Sequence, residues 1–281
     1  MPVINTNVNA LFSQNALKVN SRTLTNAMEQ LSTGQRINSA KDDAAGLAIT
    51  NTMTSNIRGL SQAVRNANDG VNLLQTAEGA MIEQTNMLQR MRELAVQAST
   101  ASYNSTQIGY LDTEFQALDT QINNIATTTK WNGTVLLYGT AENGATTSKS
   151  MSFVVGAAGT ETISVALKNT STAATSGLAT TDLAVSSAGS AAEAITGIDL
   201  ALKSINSARA TIGAGINQLT YAADNLNNVI QNTTASRSQI LDTDYAVTTT
   251  KLASAQIIAQ AATAMLAQAN QSQQSVLALL K

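Results

Sequence analysis

Apolar residues recur along this chain at alternating steps of three and four, the spacing that lays one narrow stripe down a helix and lets it pack as a coiled-coil seam. Beyond Met53, residues Leu60, Ala67, Leu74, Met81, Leu88 and Ala95 stand seven apart, with Ala63, Ala77, Met91 and Ala98 on the intermediate line; Gly70 and Gln84 interrupt that second line. A second run, Ile108, Leu111, Phe115, Leu118, Ile122 and Ile125, is unbroken. A third passes through Ile195, Ile198, Leu202, Ile205, Ile212, Ile216, Leu219, Ala223, Leu226 and Ile230, with Arg209 its one departure from apolar. The ends repeat the theme more loosely: Leu17, Leu24 and Leu31 with Met28 at the start, and Leu252, Ile258, Met265, Leu266, Val276, Leu277 and Leu280 at the finish. Alanine fills the tail between its larger residues, so that helix wants neighbours on several sides.

The stretch LSTGQRINSAKDDAAGLAI, 31–49, breaks this pattern. Gly34 is a good left-handed stop for a first helix, and Ser39 followed by Asp42 matches the capping box that opens a next one. An ordinary helix-loop-helix turn is the plainer alternative. ASRSQILDTDYA, 235–246, carries Arg237, Asp242 and Asp244 and mirrors that break before the Ala-rich tail, with a simple helix cap as its alternative. Between 130 and 190 the helical period disappears. Asn132-Gly133 signals a tight turn, and Met151, Phe153 and Val155, then Ile163, Val165 and Leu167, alternate as strands. The flanking stretches YGTAENGATTSKS and NTSTAATSGLATTDLAVSSAGSAA read as exposed loops. The expected fold is mainly α: a long antiparallel coiled-coil hairpin or bundle with both termini paired, plus a small central β region.

Composition sharpens this picture. Over 281 residues, aromatics make up only 3%, so Ala, Leu, Ile and Met must supply the packing that rings usually provide. Charged residues are 12%, about half the roughly 25% of ordinary soluble domains, and the net charge of −2 favours neither nucleic acid nor an anionic membrane. The chain has no Cys and no His, which removes disulfides, thiol nucleophiles, the commonest general base and the commonest zinc ligand. The opening residues lack a basic stretch followed by an apolar one, so no secretory signal of that kind is expected, and no apolar run of about 18 residues suggests a membrane span.

Candidate chemistry is sparse. The carboxylate pairs Asp42-Asp43 and Asp242/Asp244 have no basic or aromatic pocket with them, and no phosphate-binding or zinc-protease motif occurs, so neither an enzyme nor a cofactor is expected. LQRMRELAVQ, 88–97, sets Arg90, Arg92 and Glu93 around Leu88, Met91, Leu94 and Ala95, either as a solvated helix face or as a lateral protein contact. AVRNANDGVNLLQTAEGAM, 63–81, places Asn and Asp where they weaken a helix, either to register one subunit against another or as a merely hydrated face.

Taken together, VINTNVNAL, LSTGQRINSAKDDAAGLAI, AVRNANDGVNLLQTAEGAM, LQRMRELAVQ, NGTVLL and SQILDTDYA with the Ala/Gln-rich tail ending VLALLK resemble the bacterial flagellin family closely, over roughly the first 138 and last 90 residues. The resemblance implies an extracellular subunit of the flagellar filament, exported unfolded by the flagellar type III apparatus with a chaperone on its C-terminal region, and meeting the filament cap and hook-associated proteins. It implies an inner terminal-helix domain (1–42 and 240–281), a surrounding helical rod (43–130 and 190–239) and a small β-hairpin or variable region (131–189). Leu17, Leu24, Leu31, Leu252, Ile258, Met265, Leu266, Leu277 and Leu280 are then assembly-helix residues, and Gly34, Arg36, Ser39, Asp42, Arg237, Asp242 and Asp244 form the spoke joining the layers. Gln89, Arg90, Leu94 and Gln97, with Glu114 as companion, match the segment that in related flagellins packs subunits and is read by Toll-like receptor 5. Ser/Thr-rich loops between Thr140 and Ser190 are candidates for O-linked glycans. A hook-filament junction protein and an extracellular coiled-coil adhesin stay open as alternatives.

Overall fold

The computed structural model describes residues 6–138, 149–172, 177–180 and 183–278, with the side chains of 273–278 left aside. Among the described residues, five helices run α1 (Val8–Thr33), α2 (Ala44–Ala98), α3 (Ser105–Thr128), α4 (Ala188–Leu241) and α5 (Tyr245–Ala278). Four short strands lie between α3 and α4: β1 (Lys130–Trp131), β2 (Thr134–Val135), β3 (Lys149–Val154) and β4 (Thr162–Leu167). The chain divides into two compact units, one of Met1–Asn56 with Gln231–Lys281 and one of Ile57–Ile230.

Local chemistry sets the ends of these elements. Gly34, at φ 71°, is the left-handed cap of α1, as its position predicts. Asn104 and Gln107 form a reciprocal capping box at the start of α3. The start of α2 differs from expectation. Asp42 Oδ2 accepts from the Ser39 amide and hydroxyl, both at 3.0 Å, which closes a turn ahead of the helix. The cap is the next residue, Asp43, whose Oδ1 accepts from the Gly46 amide at 2.8 Å. A capping box at Ser39–Asp42 would need helical residues directly after Ser39, and the turn occupies them.

In the second unit the seam of α2 is buried without a gap from Leu60 to Ala98. Both interruptions of the apolar pattern have a structural reason. Gly70 leaves the space that Phe153 fills, since a Cβ there would stand 2.8 Å from its ring. Gln84, fully buried, donates through Nε2 to the carbonyls of Ile122 (3.2 Å) and Thr170 (3.4 Å). α2 and α4 run antiparallel, as the pairs Arg92–Asp199 and Glu78–Arg209 fix. α3 packs along one stretch of that pair through Phe115, Ile122 and Ala126; the β3–β4 hairpin covers another through Met151, Phe153, Ile163 and Val165. The Asn132-Gly133 turn, with φ of 46° and 80°, joins β1 to β2 as the sequence predicts.

Two expectations are corrected here. The deepest line of α4 is Ala191, Ala194, Ile198, Ala201, Ile205, Ala208, Ile212, Gly215 and Leu219. Ile195, Leu202 and Ile216 pack only at its flank, because small residues on the intermediate positions let the helices and the hairpin approach closely. Much of the described stretch after β4 is not exposed: Asn169, Thr170, Ser171, Thr172, Leu178 and Thr180 are buried, so these hydroxyls are closed to glycans, while Ser186 and Ser187 are exposed as expected. Residues 139–148, in the other stretch read as a loop, lie outside the described residues.

The hairpin seat gives a direct test. A Cβ on Gly215 would lie 2.6 Å from Val165 Cγ2, whereas one on Gly79 meets nothing within 4 Å. Gly215→Ala should therefore cost about 1–3 kcal/mol in urea unfolding through overpacking, and Gly79→Ala should be neutral or stabilising by about 0.5–1 kcal/mol. Equal effects at the two positions would contradict this seating of the hairpin.

Candidate functional site and assembly surfaces

In the first unit, α1 and α5 lie antiparallel. Asn7 Nδ2 donates to the Ala269 carbonyl at 3.0 Å and Asn20 Nδ2 to the Ala255 carbonyl at 2.7 Å, which sets the register. The seam follows steps of three and four on both sides: Ser13, Leu17, Asn20, Leu24, Ala27 and Leu31 on α1, and Thr248, Leu252, Ala255, Ala259, Ala262 and Leu266 on α5. Only Asn20, Ala27, Thr248 and Ala255 of these are buried. Sequence reasoning missed the two asparagines, although Asn20 stands on the Leu17–Leu24 line where a polar residue fixes register.

The expected assembly residues thus fall into two groups. Leu17, Leu24, Leu31, Leu252 and Leu266 are half-buried in the α1–α5 seam. Ile258 and Met265 point outward, with Val8, Leu11, Phe12, Val19 and Ile257, and Phe12 is 78% exposed. Phe12 and Met265 line one groove with Asn9, Ser13 and Gln268. The side chains of Leu277 and Leu280 lie outside the described residues. Single exposed apolar residues are ordinary, but this many on two helices form a surface suited to a further partner.

The expected spoke residues come together in the same unit. Gly34 O accepts from the Thr243 amide at 3.0 Å, and the Arg36 amide donates to Leu241 O at 2.7 Å. Gln35 and Asp242 pair as an antiparallel bridge between these bonds. The Arg36 guanidinium places Nη2 (2.7 Å) and Nε (3.3 Å) on the Ile240 carbonyl, one of the orphan acceptors at the end of α4. Asp242 accepts from the Ser238 hydroxyl at 2.6 Å, Asp244 caps α5 through the Ala246 amide at 2.8 Å, and Arg237 donates to Thr54 at 3.2 Å. Ser39 and Asp42 bond each other and stand apart from the bridge. The Ser39 hydroxyl, helped by the Ser39 and Asn38 amides and the Lys41 charge, outweighs desolvation and holds the Asp42 carboxyl below the usual range.

In the second unit, Arg90 bonds Glu114 on α3 at 2.9 Å and Glu93 on its own helix at 3.1 Å, and Arg92 bonds Asp199 on α4 at 2.8 Å. The two arginines therefore tie α2 to a neighbour on either side. Gln89, Arg92, Glu93, Val96, Gln97 and Thr100 line a shallow exposed groove along α2, with Gln97 held by the Tyr103 hydroxyl at 3.1 Å. Leu94 is only 1% exposed and packs in the core, so it supports this face from beneath and offers no surface itself. Among the described residues no cluster of acidic side chains suited to a metal ion occurs, and no helix is long and apolar enough to cross a membrane.

The family model of the bacterial flagellin N-terminal helical region matches residues 4–142, and that of the C-terminal helical region matches 195–280. The chain belongs to the bacterial flagellin family. It is 41% identical to the flagellin of Halalkalibacterium halodurans over 280 residues, covering 99% of this chain and 100% of that one. It is 35% identical to Flagellin B of Vibrio cholerae over 371 aligned positions, covering 99% of each. A solved structure from Vibrio parahaemolyticus, of a protein assigned as flagellar hook-associated, matches 72% of this chain and 100% of its own at a TM-score of 0.61 and 14% identity, a likeness of fold alone. As a flagellin, the chain is a structural subunit of the flagellar filament, an extracellular polymer of flagellin itself, and this reading fits better than a junction protein or an adhesin.

The Asp42 arrangement yields a pH prediction. Its carboxyl is lowered in the fold, so its contribution is present above the ordinary carboxylate pKa and lost as pH falls through the lowered value. Thermal unfolding followed between pH 7 and pH 2 should show a smaller acid-side loss in Asp42→Asn than in the parent chain, and identical acid profiles would remove this role.

Proposed function

We propose that polymerisation works by finishing the α1–α5 unit, whose outward apolar side chains become buried against the same helices of neighbouring subunits. The observation that carries this is the contrast between a seam that buries only four residues and an outer face that leaves Phe12, Ile257, Ile258 and Met265 in water. Ordering a helix costs about 1–2 kcal/mol per residue in backbone entropy, and burying one large apolar side chain returns only about 1.5–3 kcal/mol. Two helices sharing one shallow seam do not meet that cost, and neighbours supply the remainder.

In this reading, residues 1–42 and 240–281 make the inner layer, and the Gly34–Arg36 and Leu241–Asp244 segments form the spoke that leads out of it. The rod of 43–130 and 190–239 forms the layer around it in the polymer, and 131–189 is its small variable region. Ends that stay unfolded until assembly suit export through the flagellar type III apparatus, with a chaperone on the C-terminal region, followed by insertion under a filament cap above hook-associated proteins. The α2 groove with Gln89, Arg90, Gln97 and Glu114 is the surface for lateral packing and for recognition by Toll-like receptor 5. What supports it is their exposure and the ion pairs that hold Arg90 in one place. A receptor carboxylate would compete with Glu93 and Glu114 for that guanidinium.

Circular dichroism on free subunit and polymer tests the central part. Helicity should rise on polymerisation, and Phe12→Asn with Met265→Gln should raise the critical concentration by about tenfold or more while the second unit keeps its helicity. Equal helicity in both states, or unchanged polymerisation of the double variant, would contradict the reading.

A further inference from the structure

The buried segment after β4 has two limbs, Asn169–Thr172 and Gly177–Thr180, that bond each other through the main chain. The Leu178 amide donates to Ser171 O at 2.7 Å and the Thr180 amide to Thr172 O at 3.2 Å. This pairing presses Gly177 so tightly against the Ser171 carbonyl that any Cβ there would overlap it. It also holds Ala179 at φ 56°, a left-handed conformation that a residue with a Cβ adopts at a cost.

A small polar set ties the limbs to the helices. Gln84 of α2 donates to Thr170 O, the Thr180 hydroxyl donates to Asp119 Oδ1 of α3 at 2.6 Å, and the Thr170 amide donates to Leu137 O at 2.9 Å. Leu178 adds an apolar contact to the core. Against these ties stand three buried side-chain atoms with no hydrogen-bond partner among the described residues, Gln84 Oε1, Thr170 Oγ1 and Ser171 Oγ, each of which loses solvent contact on docking. Burial also pushes the Asp119 carboxyl above the usual range, with the Thr180 and Thr172 hydroxyls offsetting part of the cost. The helices below are held mainly by the continuous apolar seam.

We propose that these two limbs are a local folding unit that docks on the α2–α3 seam and leaves it as a whole while the helices stay formed. Gly177 permits the two limbs to pair, and Gln84 and Asp119 are the anchors of the docked unit. Leaving the seam hydrates the three orphan atoms and Asp119, and Gln84 keeps its bond to the Ile122 carbonyl. Unlike the hairpin, which seats apolar side chains on glycines, the limbs are held mainly by polar bonds whose strength depends on excluding water.

Hydrogen exchange on the full-length free subunit tests this, comparing the parent with Gly177→Ala, Thr180→Val and Thr180→Ser. Gly177→Ala should speed exchange at the Thr170, Leu178 and Thr180 amides by about tenfold or more, the scale expected for loss of a buried hydrogen-bonded tie. Amides of 77–88 in α2 and 115–122 in α3 should stay within about twofold. Thr180→Val should act in the same direction and Thr180→Ser, which keeps the hydroxyl, should restore protection. The proposal is overturned if limb and helix amides accelerate together, if Gly177→Ala unfolds the helices, or if the limb amides do not respond.

Discussion

A helix with apolar residues alternating at three and four can hide one stripe and no more, so every such helix needs a neighbour along its whole length. That demand organises this chain. In the second unit it is met in full, because α2 and α4 face each other and two different elements complete their cover: α3 along one stretch, the β3–β4 hairpin along another. The residues that look like errors in the stripe mark what covers it. Gly70 admits a phenyl ring, and Gln84 meets carbonyl groups within α3 and after β4.

In the first unit the same demand is met only in part. α1 and α5 share a seam with asparagine at two of its register points, and their remaining apolar residues face water. A flagellin is a subunit of a polymer, and in the function proposed above this deficit is the physical form of that role, with other copies as the missing neighbours. The bridge of Gly34, Gln35, Leu241, Asp242 and Thr243 instead satisfies its backbone groups within the chain, and Arg36 caps a carbonyl left over at the end of α4. The apolar side chains alone are left for assembly.

Much of this was legible in the sequence. The period of α2 and α3, the Gly34 stop and the Asn132-Gly133 turn are each set by neighbouring residues, and local chemistry decides them. The α4 seam was harder, because periodicity gave Ile195 and Leu202 the same weight as Ile198 and Ile205; only the close packing of Val165 on Gly215 shows that small residues own the deep line. The burial of Asn169–Thr172 was invisible for a different reason. A Ser/Thr-rich run ordinarily stays in water, and it is buried here because Gln84 and Asp119, more than fifty residues away in the chain, offer it bonds. The division between seam leucines and outward Ile258 and Met265 likewise depends on which partner α1 and α5 choose. Leu94 stands within a charged motif but belongs to the core beneath it.

The most direct measurement is of assembly by a chain from which 1–42 and 240–281 have been removed, seeded with filament fragments and followed by electron microscopy and sedimentation. The account predicts a folded helical core that stays soluble and builds no long fibres at any concentration at which the intact chain does. Long, stable filaments from the shortened chain would show that its subunits do not depend on the terminal helices to hold together.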